Sequence, residues 1–246
     1  AFGIAEIIVQ KMAQSGMHLD DARRKIYFFD SQGLVVKGRS HLNTQKILYA
    51  HKIEEQSDME TLIETLKPTI LIGVSGLGGA FSKSIVQKMG EINKHPIIFA
   101  LSNPTSKSEC TAEEAYNWTD GKVVFASGSP FDVVKCKDQT FHPSQGNNAY
   151  IFPGVGLGVV VSKSSRVIDE MFIVAAETLA NMVSEADLKQ GRLYPSLKKI
   201  RDISCKIAVN VANVAFSNDI AQIEQPCNLE KYVKEAMFQP TYSSYV

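Results

Sequence analysis

The stretch PTILIGVSGLGGAF, residues 68–81, joins an apolar run to four closely spaced glycines and precedes a helix-like segment, SKSIVQKMGEI. A strand, a glycine turn and a helix in this order are typical of dinucleotide-binding folds, in which the turn lies against the phosphates. That fingerprint, G-x-G-x-x-G/A, also needs an acid at the end of the next strand. Phe81 stands at the third glycine position and Asn103 at the acid position. This turn therefore does not match the fingerprint.

Asp30 is the better candidate for the ribose-binding acid, because it ends the apolar run KIYFFD after a predicted helix. It can equally be an ordinary acid at a strand end. Since its helix begins at the first residues of the chain, we expect the fingerprint turn to lie before residue 1, in a longer polypeptide. The glycines of 73–79 then have two open interpretations. They form a tight turn with close backbone packing, or a floor where a ligand approaches the sheet edge.

Four apolar runs predict strands: 25–30, 69–74, 95–104 and 122–130. They alternate with helical patterns, which predicts βαβ units and a Rossmann-like, doubly wound parallel sheet of the α/β class. The pattern becomes helical after about residue 160 and ends in a final helix with an aromatic tail. We expect residues 1–160 to form an NAD(P)-binding domain that lacks its first strand and glycine turn. Residues 161–246 would be helices and a tail packed on that domain.

The overall composition excludes several classes of protein. The 246 residues carry a formal net charge of +0 with 44% hydrophobic residues, a balance that does not indicate the basic surface typical of nucleic-acid-binding proteins. No apolar run approaches the roughly 18 residues that span a bilayer, and the N-terminus lacks the features of a signal peptide. The four cysteines are scattered without zinc-binding spacing. We therefore expect reduced thiols and an intracellular protein.

Two clusters of amides follow predicted strands, LSNPT at 101–105 and QGNNAYIFPG at 145–154. A neutral amide at the carboxyl edge of a sheet can donate to a substrate carboxylate without adding charge. Asn103 before Pro104 is equally typical of a turn, and Asn147 and Asn148 are typical of helix caps. The residues alone leave these alternatives open.

Six segments in order closely resemble the C-terminal half of malic enzymes: KIYFFDSQGLVVKGR, LKPTILIGVSGLGGAF, HPIIFALSNPTSKSECTAEEAY, VVFASGSPFDVV, QGNNAYIFPGVGLGVV and GRLYPSL. The resemblance covers nearly the whole chain. Another α/β dehydrogenase, such as an amino-acid dehydrogenase, is disfavoured by QGNNAYIFPG and FASGSPF. A non-catalytic nucleotide-binding or oligomerisation module is a further alternative. A purely structural helical partner for 160–246 has no positive feature in its favour.

The resemblance implies a reaction and a set of contacts. Malic enzymes oxidise (S)-malate with NAD or NADP and a divalent cation, then decarboxylate the bound oxaloacetate to pyruvate. By resemblance, Asn103 and Asn147 would contact malate. Asn103 would also contact the cofactor, and Asn148 would hold the substrate or the nicotinamide end. The resemblance places Val74, Ser75 and Gly76 beside the nicotinamide ribose. It places Asp30 beside the adenine ribose.

The resemblance also implies what these 246 residues do not contain. The family's general-acid tyrosine, general-base lysine and three carboxylates for Mg or Mn are expected upstream of residue 1. No catalytic or metal-binding residue is therefore assigned here, and the chain alone is predicted to be inactive. The family further implies a homo-oligomer, commonly a tetramer, and the similarity favours the cytoplasm over the mitochondrion.

The choice between NAD and NADP depends on the segment after Asp30. An acid alone favours NAD, but this family has an acid there with either cofactor. Ser31 and Lys46 are similar to the cytosolic NADP-dependent members, which have a serine after the acid and a lysine further on. Other cations follow Asp30 as well: Lys37 and Arg39. Gln32 departs from the lysine usual in those enzymes. We expect NADP, with NAD as the alternative and with an ordinary solvated lysine as the alternative for Lys46.

Overall fold

The computed structural model describes residues 1–239 and divides them into two compact units. The first unit comprises Ala1–Gly146 and Leu188–Leu193. The second comprises Asn147–Asp187 and the described residues from Tyr194 onward. The predicted aromatic tail lies mainly in 240–246, outside the described residues.

The first unit contains six helices: α1 (Phe2–Gln14), α2 (Leu19–Arg23), α3 (Thr44–Tyr49), α4 (Met59–Leu66), α5 (Lys83–Ile92) and α6 (Ala112–Trp118). It also contains eight strands: β1 (Phe29–Asp30), β2 (Gly33–Leu34), β3 (Ile70–Gly73), β4 (Ile97–Ala100), β5 (Val124–Ser127), β6 (Val134–Cys136), β7 (Gln139–Phe141) and β8 (Ser144–Gln145). Several helices begin at side-chain caps. Thr111 and Glu114 form a capping box at the start of α6.

Four strands form one parallel sheet in the order β3-β4-β5-β8. The register places Gly73, Ala100 and Ser127 level with one another at the carboxyl ends of β3, β4 and β5. The loops that follow these strands therefore share one edge of the sheet. Buried side chains of the sheet and of α5 and α6, such as Met89, form the main core of this unit. The predicted parallel α/β fold is confirmed.

The predicted strand at 25–30 is shorter than expected. Strand β1 contains only Phe29 and Asp30, which pair antiparallel with β2. The N–H groups of Lys25 and Ile26 donate instead to carbonyls of the preceding helical turn, at 3.1 Å each. Since those N–H groups are used locally, they cannot join a strand ladder.

The second unit contains helices: α7 (Phe152–Ser162), α8 (Asp169–Ala180), α10 (Ile200–Ser217) and α11 (Leu229–Ala236). The short α9 (Glu185–Lys189) contains the division between the units. Glycines allow α7 and α10 to pack closely, because a Cβ at Gly154 would lie 2.6 Å from Ile207 and one at Gly158 would lie 2.8 Å from Val211. None of the described helices has the length and hydropathy needed to cross a membrane.

Candidate functional site

A pocket of about 320 Å³ lies beside the β1–β2 turn and the start of α3. We call it the basic pocket; the residues that line it are Asp30, Ser31, Gln32, Arg39, Ser40, His41, Leu42 and Lys46. Asp30 ends β1, and Lys46 is placed by α3, whose first turn is capped by the side chain of Asn43. The structure thus brings together Asp30, Ser31 and Lys46, which the sequence predicts at one end of the cofactor. Lys37 is exposed and does not line the pocket.

Two cations surround the Asp30 carboxylate. Lys46 Nζ donates to its Oδ2 at 2.5 Å, and Arg39 Nη2 donates to both of its oxygens at 3.0 and 3.1 Å. Partial burial alone would raise the pKa of Asp30, but hydrogen bonds from Lys46, the Gln32 N–H and Arg39 outweigh it and lower that pKa. The carboxylate is therefore ionised near neutral pH. These three side chains together carry one spare positive charge.

Arg39 has a second task that the sequence does not reveal. Its Nη1 donates to the carbonyls of Gly33 and Leu34 at 3.2 and 3.3 Å, which ties the guanidinium to β2. Its Nη2 also donates to Gln32 Oε1 at 2.6 Å. Gln32, which departs from the lysine of similar enzymes, is thus an acceptor for Arg39, and a lysine at this place could not accept.

A second group of residues lies at the carboxyl edge of the parallel sheet. We call it the strand-end cluster: Gly73, Ser75, Gly76, Ser102 and Glu109. Glu109 is fully buried. Its Oε1 accepts from the N–H of Ser75 at 3.1 Å and from Ser102 Oγ at 2.5 Å, and its Oε2 accepts from the N–H of Ser102 at 3.3 Å. One carboxyl group therefore joins the loop after β3 to the loop after β4.

Nothing in the sequence marks Glu109, because a glutamate in the polar segment SKSEC resembles a solvated loop residue. The only indirect signal is Gly73 at the end of β3. A Cβ there would lie 2.5 Å from Cγ of Glu109, so glycine leaves the space that the glutamate fills. Both residues are needed for this packing, and only the fold brings them together.

The other glycines of the loop fit one or the other of the two interpretations, a tight turn with close backbone packing or a floor that a ligand can approach. A Cβ at Gly78 would collide with the carbonyl oxygen of Ser106, so this glycine serves close packing. Gly76 and Gly79 have φ of 71° and 73°, which favours glycine, and nothing lies within 4 Å of a Cβ placed at either. Val74, Ser75 and Gly76 are all exposed. The loop thus combines a packed base with an open outer side.

Asn103 lies in the loop after β4, at the same edge. Its side chain is exposed, and its Oδ1 accepts from Ser129 Oγ at 2.7 Å. Ser129 follows β5, whose end is level with that of β4. With its oxygen occupied in this way, Asn103 presents its NH2 group as a donor. This arrangement suits an anionic acceptor such as a carboxylate.

Asn147 and Asn148 belong to the second unit, and both are exposed. Asn147 caps a 3₁₀ turn, Asn148–Tyr150, because its Oδ1 accepts from the N–H of Ala149 at 2.9 Å. The capping role that the sequence left open for Asn147 is therefore present. The predicted contacts of Asn147 and Asn148 with substrate or cofactor stay predictions.

No group of three or more His, Cys, Asp or Glu side chains that could hold a metal ion occurs within residues 1–239. The acidic side chains of the two clusters already have their own partners. Asp30 is bound by Lys46 and Arg39, and Glu109 is surrounded by N–H and O–H donors. Neither carboxylate is therefore free of protein partners in this structure.

Comparison with known proteins gives a consistent result. Residues 1–216 match the family described as "Malic enzyme, NAD binding domain". The chain is 46% identical over 248 residues to the NADP-dependent malic enzyme of Anas platyrhynchos, covering 100% of this chain and 44% of the relative. It is 47% identical to the enzyme of that name from Rattus norvegicus, covering 98% and 43%. It is 46% identical to the mitochondrial NADP-dependent malic enzyme of Homo sapiens, covering 100% and 41%. The chain thus spans less than half the length of these curated relatives.

Two solved structures share the fold. The crystal structure of Entamoeba histolytica malic enzyme superposes with a TM-score of 0.69 at 23% identity, covering 87% of this chain and 41% of that one. The crystal structure of malic enzyme from Pyrococcus horikoshii Ot3 gives a TM-score of 0.52 at 25% identity, covering 68% and 34%. The first likeness, below 25% identity, concerns the fold alone.

Proposed function

This chain belongs to the malic enzyme family, and from that premise we propose that it is the dinucleotide-binding part of an NADP-dependent malic enzyme. The whole protein would oxidise (S)-malate and decarboxylate the product to pyruvate and CO2, with reduction of NADP. Residues 1–160 would form the NAD(P)-binding domain, and residues 161–246 would add helices and a tail packed on it. The observation that carries the proposal is the basic pocket, interpreted together with family membership.

The basic pocket fits the adenosine end of NADP. A 2′-phosphate is a dianion at neutral pH, and cationic donors with neighbouring hydroxyls are the groups that bind it. Lys46 and Arg39 supply two positive charges against one negative charge on Asp30, so the pocket retains attraction for an anion. We assign Asp30 to the adenine ribose, and Ser31 and Lys46 to the phosphate. NAD lacks that phosphate and would leave the spare charge unused.

The nicotinamide end is assigned to the carboxyl edge of the sheet, where open α/β sheets bind their ligands. Val74, Ser75 and Gly76 would lie along the nicotinamide ribose, on the exposed side of the glycine loop. Asn103 would donate its NH2 group to a malate carboxylate while Ser129 holds the amide oxygen. Asn147 would contact malate too, and Asn148 the substrate or the nicotinamide. These residues bind and orient; none of them is proposed to transfer a proton.

Hydride transfer and decarboxylation need groups that we do not assign to this chain. By resemblance, residues expected upstream of residue 1 would hold a divalent cation, which would supply Lewis-acid stabilisation of the malate oxygens. By resemblance, its ligands and the general acid and base lie outside the motifs matched here. We therefore propose that residues 1–246 alone bind NADP weakly and do not turn over malate. Malate-dependent reduction of NADP or NAD by the isolated, folded chain would contradict this.

Lys46→Ala in the full-length native enzyme tests the cofactor assignment. The KM for NADP should rise about tenfold, because one charge-assisted contact with the phosphate is lost, whereas the KM for NAD should stay unchanged. Lys37→Ala is the matched control, because it removes a lysine of the same segment that does not line the pocket. An unchanged KM for NADP in Lys46→Ala would refute Lys46 as the phosphate contact. A parent enzyme that prefers NAD would refute the NADP assignment itself.

The proposals for oligomeric state and cellular location rest on family membership. We propose a homo-oligomer, commonly a tetramer among these enzymes, which sedimentation of the full-length protein can measure. We also propose a cytoplasmic enzyme, for which the similarity of the Asp30–Lys46 segment to cytosolic members is the support. Because two of the relatives carry the name of a mitochondrial enzyme, microscopy of the tagged full-length protein is the decisive measurement.

A further inference from the structure

Glu109 is a charged side chain in an unusual position. It is fully buried, and it forms no ion pair with any Lys, Arg or His in the part of the chain that the structure describes. Burial of a carboxylate without a cation is unfavourable unless fixed dipoles replace the lost water. The groups around Glu109 therefore explain how it is held.

Four donors surround this carboxylate, two from Ser75 and two from Ser102. The two backbone N–H groups can only donate, and they point at different oxygens, so both oxygens act as acceptors. The hydroxyl of Ser102 accepts from the N–H of Gly76 at 2.8 Å, which leaves its own proton for Glu109. This pattern fits the ionised form of the side chain. The negative charge is solvated by the loops it joins and is not cancelled by a counter-ion.

The loops held by Glu109 are those assigned to the nicotinamide end. Ser75 donates to it directly, and Gly76 is linked to it through Ser102. An oxidised nicotinamide ring carries a positive charge, and a reduced ring carries none. A fixed negative charge in a weakly polarisable interior stabilises the positively charged ring more than the neutral one.

We propose that Glu109 is a positioning residue that fixes the glycine loop against the β4 loop, and that its charge favours binding of the oxidised cofactor over the reduced one. This inference rests on the proposed function, because it needs the nicotinamide to lie at this loop. It adds a determinant of redox-state preference that neither Asp30 nor Lys46 can supply. Those residues belong to the basic pocket, which is assigned to the adenosine end that oxidised and reduced cofactor share.

The test is Glu109→Gln in the full-length native protein, with the dissociation constants of NADP⁺ and NADPH measured by equilibrium titration. Glutamine keeps the shape and removes the charge; its NH2 group also cannot accept from one of the two backbone N–H groups, a loss that is common to both ligands. We expect affinity for NADP⁺ to fall about tenfold and affinity for NADPH to fall less than about threefold. Glu114→Gln is the matched control: it changes a glutamate of the α6 capping box that also accepts a backbone N–H. It should leave the ratio of the two constants unchanged.

A purely structural role predicts that NADP⁺ and NADPH lose affinity by the same factor. An unchanged ratio of their dissociation constants in Glu109→Gln would therefore overturn the proposal. Adenosine 2′,5′-bisphosphate, which lacks the nicotinamide, should bind wild type and Glu109→Gln alike. If wild type binds neither this probe nor either dinucleotide, the proposed function itself fails.

Ser102→Ala gives the test if Glu109→Gln does not fold. This variant keeps the carboxylate and removes one donor that disperses its charge. The affinity for NADP⁺ should therefore rise relative to the affinity for NADPH, which is the opposite of the change expected in Glu109→Gln. An unchanged ratio of the two dissociation constants, or a relative gain in affinity for NADPH, would overturn the proposal in this variant as well.

Discussion

The basic pocket and the strand-end cluster are each built on one carboxylate, and they stabilise it in opposite ways. Asp30 keeps 26% of its side chain exposed and is held by two cations. Glu109 is fully buried and is held by N–H and O–H dipoles alone. The first arrangement leaves spare positive charge for a ligand. The second uses its donors to fix two loops, so it suits positioning more than direct binding.

Gly73→Ala should produce the largest effect, because Gly73 lies against the fully buried side chain of Glu109. The new methyl would overlap the side chain of Glu109, which cannot move without leaving its four donors. We expect a loss of about 3 kcal/mol in unfolding free energy, at the upper end for overpacked cores. Denaturant unfolding monitored by circular dichroism measures it.

Gly3→Ala is the control for Gly73→Ala. A Cβ at Gly3 meets nothing within 4 Å, and Gly3 lies in α1, so alanine should leave stability equal or raise it by up to about 1 kcal/mol. If Gly73→Ala were as stable as wild type, the strand-end cluster would have room to adapt. The contrast with the basic pocket would then be lost.

Arg39→Ala should have an intermediate effect on stability, and it would distinguish the structural role of Arg39 from the ligand-binding role of Lys46. Only 8% of the Arg39 side chain is exposed, against 30% for Lys46. Arg39 also donates to two β2 carbonyls. We expect Arg39→Ala to lower the unfolding free energy by about 1–2 kcal/mol and Lys46→Ala by less than about 0.5 kcal/mol. Equal losses measured by denaturant titration would contradict a structural role for Arg39 alone.

The two regions also differ in how far the sequence predicts them. Asp30 is predictable because it ends an apolar run after a predicted helix, and Ser31 and Lys46 follow from the resemblance of the next segment to NADP-dependent malic enzymes. Glu109 becomes visible only when β3 and β4 lie in register, which brings its loop to Gly73. Sequence periodicity reports which residues share a face of one element. It does not report which loop from a distant element fills the space beside a glycine.

The sheet itself was predictable for a related reason. The runs that became β3, β4 and β5 are apolar and lie between helices, which indicates a parallel sheet. The β6–β7 hairpin was not predicted, because its turn has Lys137 at φ 55° and Asp138, where Asn-Gly or Asp-Gly would have been the signal. The sequence thus predicts strands that have a clear apolar pattern, and misses a hairpin whose turn lacks the usual residues.

The last expected effect depends on acid, and it separates the two carboxylates by their environment. The pKa of Asp30 is lowered from its ordinary value of 3.8, so folding favours the ionised form. Its contribution is therefore complete above that ordinary value and is lost as pH falls through the lower pKa of the folded protein. Because the pairs are partly exposed, we expect Asp30→Asn to cost less than about 1 kcal/mol at pH 7.

Unfolding of wild type and Asp30→Asn, measured from pH 7 to pH 2, tests this expectation. The difference between the two should stay constant down to about pH 4 and shrink below it, because the protonated wild-type side chain then resembles asparagine. Salt should reduce the difference at pH 7, since both ion pairs reach solvent. A difference that persists in acid would show that Asp30 acts through its hydrogen-bonding shape and not through its charge. In that case the basic pocket would resemble the strand-end cluster, in which geometry and not counter-charge holds the carboxylate.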